Sequence, residues 1–192
     1  MTVDPAESSA ALPFLEAVVV DRSTRRSPLE EEVTAMFDQL RNPLLRYIRS
    51  LGMPLEDGEE IIQEVFLSLF VHLNRGKSRA NLRGWLFRVA HNLALKRRMR
   101  DHRLMRMQCS EAAAERQPDP NPDPEEQLAS LQRRQRLRAV VRVLPEHDRC
   151  CLSLRAEGLR YREIAEVLGM SLGAVSLSLG RSLTRLSNAD LR

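Results

Sequence analysis

The first half of the chain carries an amphipathic pattern that predicts a long helix near its start. Ser27 and Glu30 form a Ser-x-x-Glu capping box, and Pro28 occupies the first helical position. Pro43 is predicted to bend or split this helix, and the Gly-Met-Pro sequence at 52–54 is predicted to end it. The apolar side recurs at helical spacing through Val33, Met36, Phe37, Leu40, Leu44, Ile48 and Leu51.

Two further apolar stripes predict helices that share a core with the first one. The earlier helix runs from about residue 55 to 74, and its stripe comprises Ile62, Val65, Phe66, Leu69 and Leu73. The later helix follows a loop at 75–80 and runs from about residue 81 past Lys96, with the stripe Leu82, Trp85, Leu86, Val89 and Leu93. Base stacking is an alternative role for Trp85, the single tryptophan, but its place on the stripe favours core packing. The three helices form a first module, residues 27–107.

A proline-rich segment divides the chain. Residues 117–126 read Gln-Pro-Asp-Pro-Asn-Pro-Asp-Pro-Glu-Glu, and alternate prolines favour an extended spacer. We therefore assign residues 108–125 as a linker and residues 126–192 as a second module, with residues 1–26 as a flexible extension that shows no clear period. Helices are predicted at about 124–143, 145–156, 160–168 and 171–187. Strand patterns are missing, so the predicted fold class is all-α, with two small helical domains.

The second module contains a pattern typical of a DNA-binding helix-turn-helix between Leu159 and Leu186. Gly169 supplies the left-handed residue that ends the first helix, and Ser171 caps the second. The side chains predicted to face inward are Ile164, Ala165, Leu168, Val175, Leu179, Leu183 and Leu186. An ordinary helical hairpin is the alternative interpretation.

Charge is distributed unevenly, although the net charge of the 192 residues is only +4. Residues 28–66 contain nine acidic and three basic residues, a net charge of −6, whereas residues 75–106 contain eleven basic and one acidic residue, a net charge of +10. The basic segment suits a polyanion, and the acidic segment suits a basic partner. Two oppositely charged helices that face each other or solvent are the alternative.

The remaining composition argues against several classes of protein. Cys109, Cys150 and Cys151 are odd in number and include an adjacent pair, which favours a reducing compartment over a disulfide framework. The apolar stretch 12–20 is too short to span a bilayer, so we expect a cytoplasmic protein without membrane insertion. His147 lies near the cysteine pair, but structural zinc needs four ligands in paired spacing, so we expect no metal and no cofactor. Catalytic motifs are missing, and no enzyme is predicted.

Two separate motifs resemble the extracytoplasmic-function group of bacterial RNA polymerase sigma factors. Residues 57–66, Asp-Gly-Glu-Glu-Ile-Ile-Gln-Glu-Val-Phe, look like that family's core-polymerase-binding helix. Residues 82–93, Leu-Arg-Gly-Trp-Leu-Phe-Arg-Val-Ala-His-Asn-Leu, look like its promoter-melting and −10-reading helix. The Leu-Pro-Glu sequence at 144–146 and the helix-turn-helix resemble its −35-reading region. The resemblance covers roughly residues 29–106 and 126–186, and it implies a dissociable subunit for transcription initiation.

The resemblance implies three binding surfaces. For core RNA polymerase, through the β′ clamp helices, the candidates are Asp57, Glu60, Gln63, Glu64 and Phe66, of which the three acids share one helix face by their spacing. For the −10 element, where the 76–81 loop holds a flipped base, the candidates are Lys77, Ser78, Arg79, Asn81, Arg83, Arg88, His91, Asn92, Lys96 and Arg97. For the −35 element they are Arg160, Arg162, Ser171, Gly173, Ala174, Ser176, Leu177, Ser178, Arg181 and Arg185. The polymerase β flap and an anti-sigma factor are further implied partners.

The recognition helix departs from the expected chemistry, and this keeps two other functions open. Ser176 and Ser178 stand where the family usually carries Lys or Arg, and direct readout usually uses charged or amide side chains. Base recognition is then left to the serine hydroxyls and to contacts of Ala174 or Leu177 with a thymine methyl group. A stand-alone helix-turn-helix regulator that binds DNA as a dimer is one alternative, and an adaptor that makes only protein contacts is the other.

Overall fold

The computed structural model describes the backbone of residues 27–107 and 124–190 and the side chains of residues 27–101 and 132–190. Within these residues the chain forms seven α-helices and no β-strand, as the all-α prediction requires. The helices are α1 (Pro28–Ser50), α2 (Leu55–Asn74), α3 (Leu82–Met107), α4 (Pro124–Arg142), α5 (Glu146–Ala156), α6 (Tyr161–Leu168) and α7 (Leu172–Asp190). None of them alone is long and apolar enough to cross a bilayer, and α6 with α7 passes that test only as a pair bent by 106°.

Some predictions fall on residues that are not described. These are the N-terminal extension, Cys109 and the linker up to residue 123. The last two predicted linker residues, 124 and 125, belong to α4.

The start of α1 follows the sequence signal, whereas its middle does not. The Ser27 hydroxyl accepts a hydrogen bond from the Glu30 N–H (3.2 Å), and the Glu30 carboxylate accepts one from the Ser27 N–H (3.0 Å). The helix then runs through Pro43 for 23 residues without a break, so the predicted split is wrong. A proline removes one hydrogen bond, and tertiary packing of the buried positions outweighs that loss. The buried side chains of α1 are Leu40, Leu44, Tyr47 and Ile48.

The first module is a three-helix core formed by α1, α2 and α3. The α2 backbone approaches α1 closely at Gly58, where an added Cβ would lie 2.9 Å from Leu45 Cδ1. Phe37 and Phe66 meet edge to face, with ring centroids 4.9 Å apart. Phe66 is therefore a core residue, and its prediction as a polymerase contact is corrected by its burial.

The inward face of α3 is rotated from the predicted stripe. Leu86 is buried as predicted, whereas Leu82, Trp85, Val89 and Leu93 are only half-buried. The other buried positions of this helix are Gly84, Phe87, Ala90, His91 and Ala94. This rotation follows from an additional packing partner. Helix α3 contacts α6 of the second module as well as α1 and α2 of its own module.

The second module contains the predicted helix-turn-helix in α6 and α7. Gly169 has φ 64° and ψ 31°, the left-handed conformation that favours glycine at a helix C-terminus. The Ser171 hydroxyl accepts from the Ala174 N–H at 3.1 Å and caps α7. Val175 and Leu179 are buried as predicted, but Leu183 is 51% exposed and is corrected to a surface position.

The two modules pack against each other. Buried residues of both modules form one continuous cluster, with Tyr47 and Phe87 on one side and Cys150, Leu154 and Leu159 on the other. The contacts run between α1 and α5 and between α3 and α6. We call this arrangement closed, because the first helix of the helix-turn-helix covers part of the predicted −10 helix.

Candidate nucleic-acid interface

The loop before α3 is built around Asn81. This residue adopts φ +52°, unusual for a side chain other than glycine, and its Oδ1 accepts from the Gly84 N–H at 3.1 Å. A Cβ on Gly84 would lie 2.6 Å from Asn81 Nδ2, so glycine leaves room for this cap. The Asn-x-x-Gly sequence therefore sets the conformation of the predicted −10 loop.

The rest of this loop is exposed and carries the predicted cations. Residues 74–81 are all exposed, including Lys77, Ser78 and Arg79. The Arg79 guanidinium pairs with the Glu32 carboxylate at 3.3 Å. A His72 ring nitrogen lies 3.0 Å from the Ser78 carbonyl oxygen, and the His72 ring packs against Trp85 with centroids 4.6 Å apart. Trp85 is thus half-buried against its own module, and it packs at the edge of the core and not in its centre.

The predicted −10 residues of α3 divide into exposed and engaged groups. Arg88, Asn92 and Lys96 are exposed. His91 is 8% exposed, its Nδ1 lies 2.7 Å from the Tyr47 hydroxyl, and burial lowers its pKa. Its prediction as a DNA contact is therefore wrong for the closed arrangement, because the second module and Tyr47 surround it.

Glu157, the residue after the end of α5, contacts two residues of the first module. Its carboxylate accepts two hydrogen bonds from the Arg46 guanidinium, at 2.9 Å and 2.6 Å, and this partner raises the pKa of Arg46. Its backbone carbonyl accepts from Arg83 Nη2. The Glu157 side chain is only 11% exposed, whereas Arg46 remains 62% exposed. Arg83, a predicted −10 contact, is therefore tied to the second module.

A second ion pair crosses the same contact. Arg98 on α3 donates to the Glu146 carboxylate on α5, and this guanidinium lowers the pKa of Glu146. Both pairs join a basic residue of the first module to an acidic residue of the second, so the inter-module contact has complementary charge.

The acidic face of α2 is only partly free. Arg97 on α3 pairs with Asp57 at 2.5 Å and with Glu60 at 2.8 Å. The Glu60 side chain is nevertheless 62% exposed, and Gln63 and Glu64 are exposed. The alternative in which two oppositely charged helices face each other thus holds for Arg97 and Asp57. A negative surface remains one turn further along.

The helix-turn-helix presents most of the predicted −35 residues to the outside. Arg160, Arg162, Gly173, Ser176, Leu177, Arg181 and Arg185 are exposed, Ser171 is exposed while it caps α7, and Ala174 is half-buried. Ser178 is the exception. It is 1% exposed, and its hydroxyl donates to Asp148 Oδ1 at 2.6 Å, so its prediction as a DNA contact is corrected.

Asp148 links α5 to the recognition helix from inside the second module. Its carboxylate is 5% exposed and also accepts from Arg181 Nη2 at 3.3 Å. A buried hydrogen bond to a charged group contributes about 1.5–3 kcal/mol. Asp148→Ala is therefore expected to lower the free energy of unfolding by about 2 kcal/mol in urea denaturation monitored by circular dichroism.

The matched control removes both partners. Asp148→Ala combined with Ser178→Ala leaves no orphaned hydroxyl and should recover part of the loss. A stability change below about 0.5 kcal/mol for the single variant would contradict this role.

The adjacent cysteines face different surroundings. Among the described residues, no group of three or more His, Cys, Asp or Glu side chains is placed to hold a metal ion. Burial raises the pKa of Cys150 to about 11, which keeps its thiol protonated at neutral pH. The Cys151 thiol lies next to Ser178 and Asp148, and its pKa is raised mainly by burial.

Comparison with known proteins identifies the two modules. Residues 36–104 match the Sigma-70 region 2 family, and residues 134–186 match the family described as Sigma-70, region 4. The ECF RNA polymerase sigma factor ShbA of Streptomyces griseus is 32% identical over 183 residues, which cover 89% of this chain and 95% of ShbA. The chain belongs to the extracytoplasmic-function sigma factors.

Other relatives of this sigma factor support the assignment and the fold. The probable RNA polymerase sigma factor RfaY of Xanthomonas campestris is 30% identical over 136 residues, 70% of this chain, but the chain spans only 34% of the length of RfaY. The sigma factor RpoE, solved in complex with the anti-sigma factor NepR from Bartonella quintana, has a TM-score of 0.64 at 16% identity. That likeness covers 83% of this chain and 96% of RpoE, and it shows a shared fold.

Membership in this family confirms several predictions made from the sequence. Sigma factors are initiation factors and not enzymes, and the family binds core RNA polymerase and promoter DNA. The predicted order of region 2 before region 4 is confirmed as well.

Sequence reasoning missed the residues that join the elements. Asp148 gave a usable signal, since it lies three residues before the buried Cys151 on the inward side of α5, and a charge at such a position needs a partner. Glu157 gave none, because Arg46 is 111 residues away in the chain.

Proposed function

We propose that this sigma factor binds core RNA polymerase through the acidic face of α2 and places α3 on the −10 element and α7 on the −35 element of a promoter. The observation that carries the proposal is that an exposed acidic helix face, an exposed basic loop and helix, and a helix-turn-helix occur together in one chain, in region 2 to region 4 order. The β′ clamp helices would be the partner of Glu60, Gln63 and Glu64, and the β flap would bind the second module.

The −10 site is assigned to the exposed loop and the free side of α3. Lys77 and Arg79 lie within the loop that ends at the Asn81 cap, and Arg88 and Lys96 continue the positive surface along the helix. Such a surface neutralises phosphates, and a loop with a fixed backbone can hold a base that has left the stack. Opening of the promoter would follow from capture of that base.

Promoter binding in this scheme requires the closed arrangement to open. The −10 and −35 elements lie about 25 base pairs apart, which is roughly 85 Å along B-DNA at 3.4 Å per base pair. A compact chain of this length has a radius of gyration of about 16 Å. Sixteen residues separate α3 from α4, and an extended segment of that length reaches at most about 55 Å. The modules therefore have to separate before both elements are bound.

The loop geometry leads to a test in which stability and binding respond differently. Gly84→Ala is expected to displace the Asn81 side chain and lose a cap worth about 1 kcal/mol, while alanine restores about 0.5–1 kcal/mol of helix propensity. The unfolding free energy should thus change little. Affinity for single-stranded −10 DNA, measured by fluorescence anisotropy with the holoenzyme, should fall about tenfold because the loop changes conformation.

Asn81→Gly is the matched variant for this loop, since it keeps the positive φ and removes the cap. The two variants should bind −10 DNA equally poorly. Wild-type affinity in Gly84→Ala would show that the Asn81 cap does not shape the site.

In vitro transcription tests the proposed function as a whole. Core RNA polymerase, a library of promoter fragments and the purified chain are combined, and we expect start sites that appear only when the chain is added. Tight, palindrome-dependent DNA binding without polymerase would instead identify a stand-alone regulator. Polymerase or protein binding without promoter-specific transcripts would identify an adaptor.

The setting of this function follows from the same proposal. A factor that works on chromosomal promoters acts in the cytoplasm, and an anti-sigma factor is the proposed regulator.

A further inference from the structure

The outward face of α7 carries one large side chain in its first half. Successive helical residues turn by 100°, which places Gly173, Leu177, Gly180 and Thr184 within one arc opposite the buried positions. Leu177 lies at one edge of that arc and is 68% exposed. A Cβ added at Gly173 or Gly180 would meet nothing within 4 Å, so folding alone does not require glycine on either side of Leu177.

The polar groups near this arc are largely committed elsewhere. Ser178 points inward to Asp148, and the Ser171 hydroxyl caps the helix. Arg181 also pairs with Asp148, at 3.3 Å. In the first two turns of α7, the exposed side chains that remain are Leu172, Ser176 and Leu177. Leu172, 49% exposed, lies outside the arc, so the Ser176 hydroxyl and the Leu177 side chain are the groups best placed for contact with base edges.

The charge around the arc favours DNA over a protein partner. Residues 172–189 contain two arginines and no acidic residue, and the start of α6 adds the exposed Arg160 and Arg162 to the same helix-turn-helix. Such a border suits phosphates on both sides of a groove.

We infer that Leu177 selects thymine in the −35 element by packing against its C5-methyl group. This inference rests on the proposed function. The major groove presents one apolar group, the thymine methyl, whereas every other distinguishing feature is a hydrogen-bond donor or acceptor. The Ser176 hydroxyl can form a hydrogen bond with either a donor or an acceptor on a base edge, so it discriminates weakly between bases. The glycines beside Leu177 let the helix backbone approach the groove floor closely enough for an isobutyl group to reach the methyl.

Replacement of thymine by deoxyuridine tests the inference, because it removes only the methyl group. A promoter is selected in vitro with the wild-type holoenzyme, and each −35 thymine is replaced singly by deoxyuridine in the duplex used for binding. Loss of one buried methyl should weaken wild-type binding about fourfold at one or two positions. Leu177→Ala should weaken binding to the thymine duplex similarly and should respond no further to deoxyuridine.

Leu183→Ala is the matched control, since Leu183 is 51% exposed on the same helix but lies outside the arc and in its second half. It should keep wild-type sensitivity to deoxyuridine, and the unfolding midpoint of both variants should stay unchanged. The inference is overturned if no −35 deoxyuridine affects wild-type binding, or if Leu177→Ala remains as sensitive as the wild type. Promoter-specific transcription would persist in that case, whereas failure of the proposed function would abolish it.

Discussion

Replacing Glu157 with arginine is expected to open the closed arrangement and to raise the affinity of the free chain for promoter DNA by about tenfold. The variant loses the two hydrogen bonds from Arg46 and places a third positive charge beside Arg46 and Arg83. Hydrogen bonds to charged groups contribute about 1.5–3 kcal/mol, and a factor of ten corresponds to about 1.4 kcal/mol. The apparent affinity equals the affinity of the open state multiplied by the fraction of chains that are open. A variant that raises this fraction therefore binds promoter DNA more tightly.

Two measurements check this expectation. Small-angle X-ray scattering should show a larger radius of gyration for Glu157→Arg, and fluorescence anisotropy should show tighter binding to a promoter duplex with an unpaired −10 segment. Glu166→Arg is the control, because Glu166 is exposed on α6 and its substitution changes the net charge by the same amount. Equal scattering and binding for both variants would mean that the Glu157 pair does not hold the modules together.

Reversing the acidic face of α2 is expected to weaken binding to core polymerase by about a hundredfold. Asp57→Arg together with Glu60→Arg would place like charges against a basic partner, which costs several kcal/mol at an interface. Binding of the labelled chain to purified core enzyme, without DNA, measures the effect. Retention of wild-type affinity would show that the acidic face is not the polymerase contact.

The structure adds a necessary control to that experiment. Arg97 joins Asp57 and Glu60 to α3, so the double variant also breaks an intramolecular pair. Arg97→Ala breaks the same pair without reversing the acidic face and should bind core enzyme normally. Glu31→Arg with Asp38→Arg changes the net charge equally at exposed positions of α1 and should also bind normally.

Local signals in the sequence predicted the elements well, because each depends on residues close together in the chain. The Ser27 capping box, the left-handed Gly169 and the Ser171 cap are each satisfied within four residues. Helix existence and the helix-turn-helix followed from apolar spacing for the same reason.

The errors came from positions where distant elements meet. His91 and Ser178 were predicted to face DNA, yet each is buried by a partner 44 or 30 residues away, Tyr47 and Asp148 respectively. Phe66 was predicted both on the apolar stripe of the second helix and as a polymerase contact. Its ring is buried and packs on Phe37, so the core position is the one that the structure shows. A helical pattern shows that a residue lies near the edge of a stripe, but the neighbouring helix decides whether that edge is covered.

By itself, the sequence determined the all-α class, the seven helices, the order of the two regions and the separation of acidic from basic segments. Only the tertiary structure decided which charges are free. It joins Arg97 to the acidic helix, Arg83 and Arg46 to Glu157, and Arg181 to Asp148, through contacts between residues 33 to 111 positions apart. The physical reason is that helix formation depends on neighbours within one or two turns, whereas the pairing of a charge depends on which surfaces the packed helices bring together.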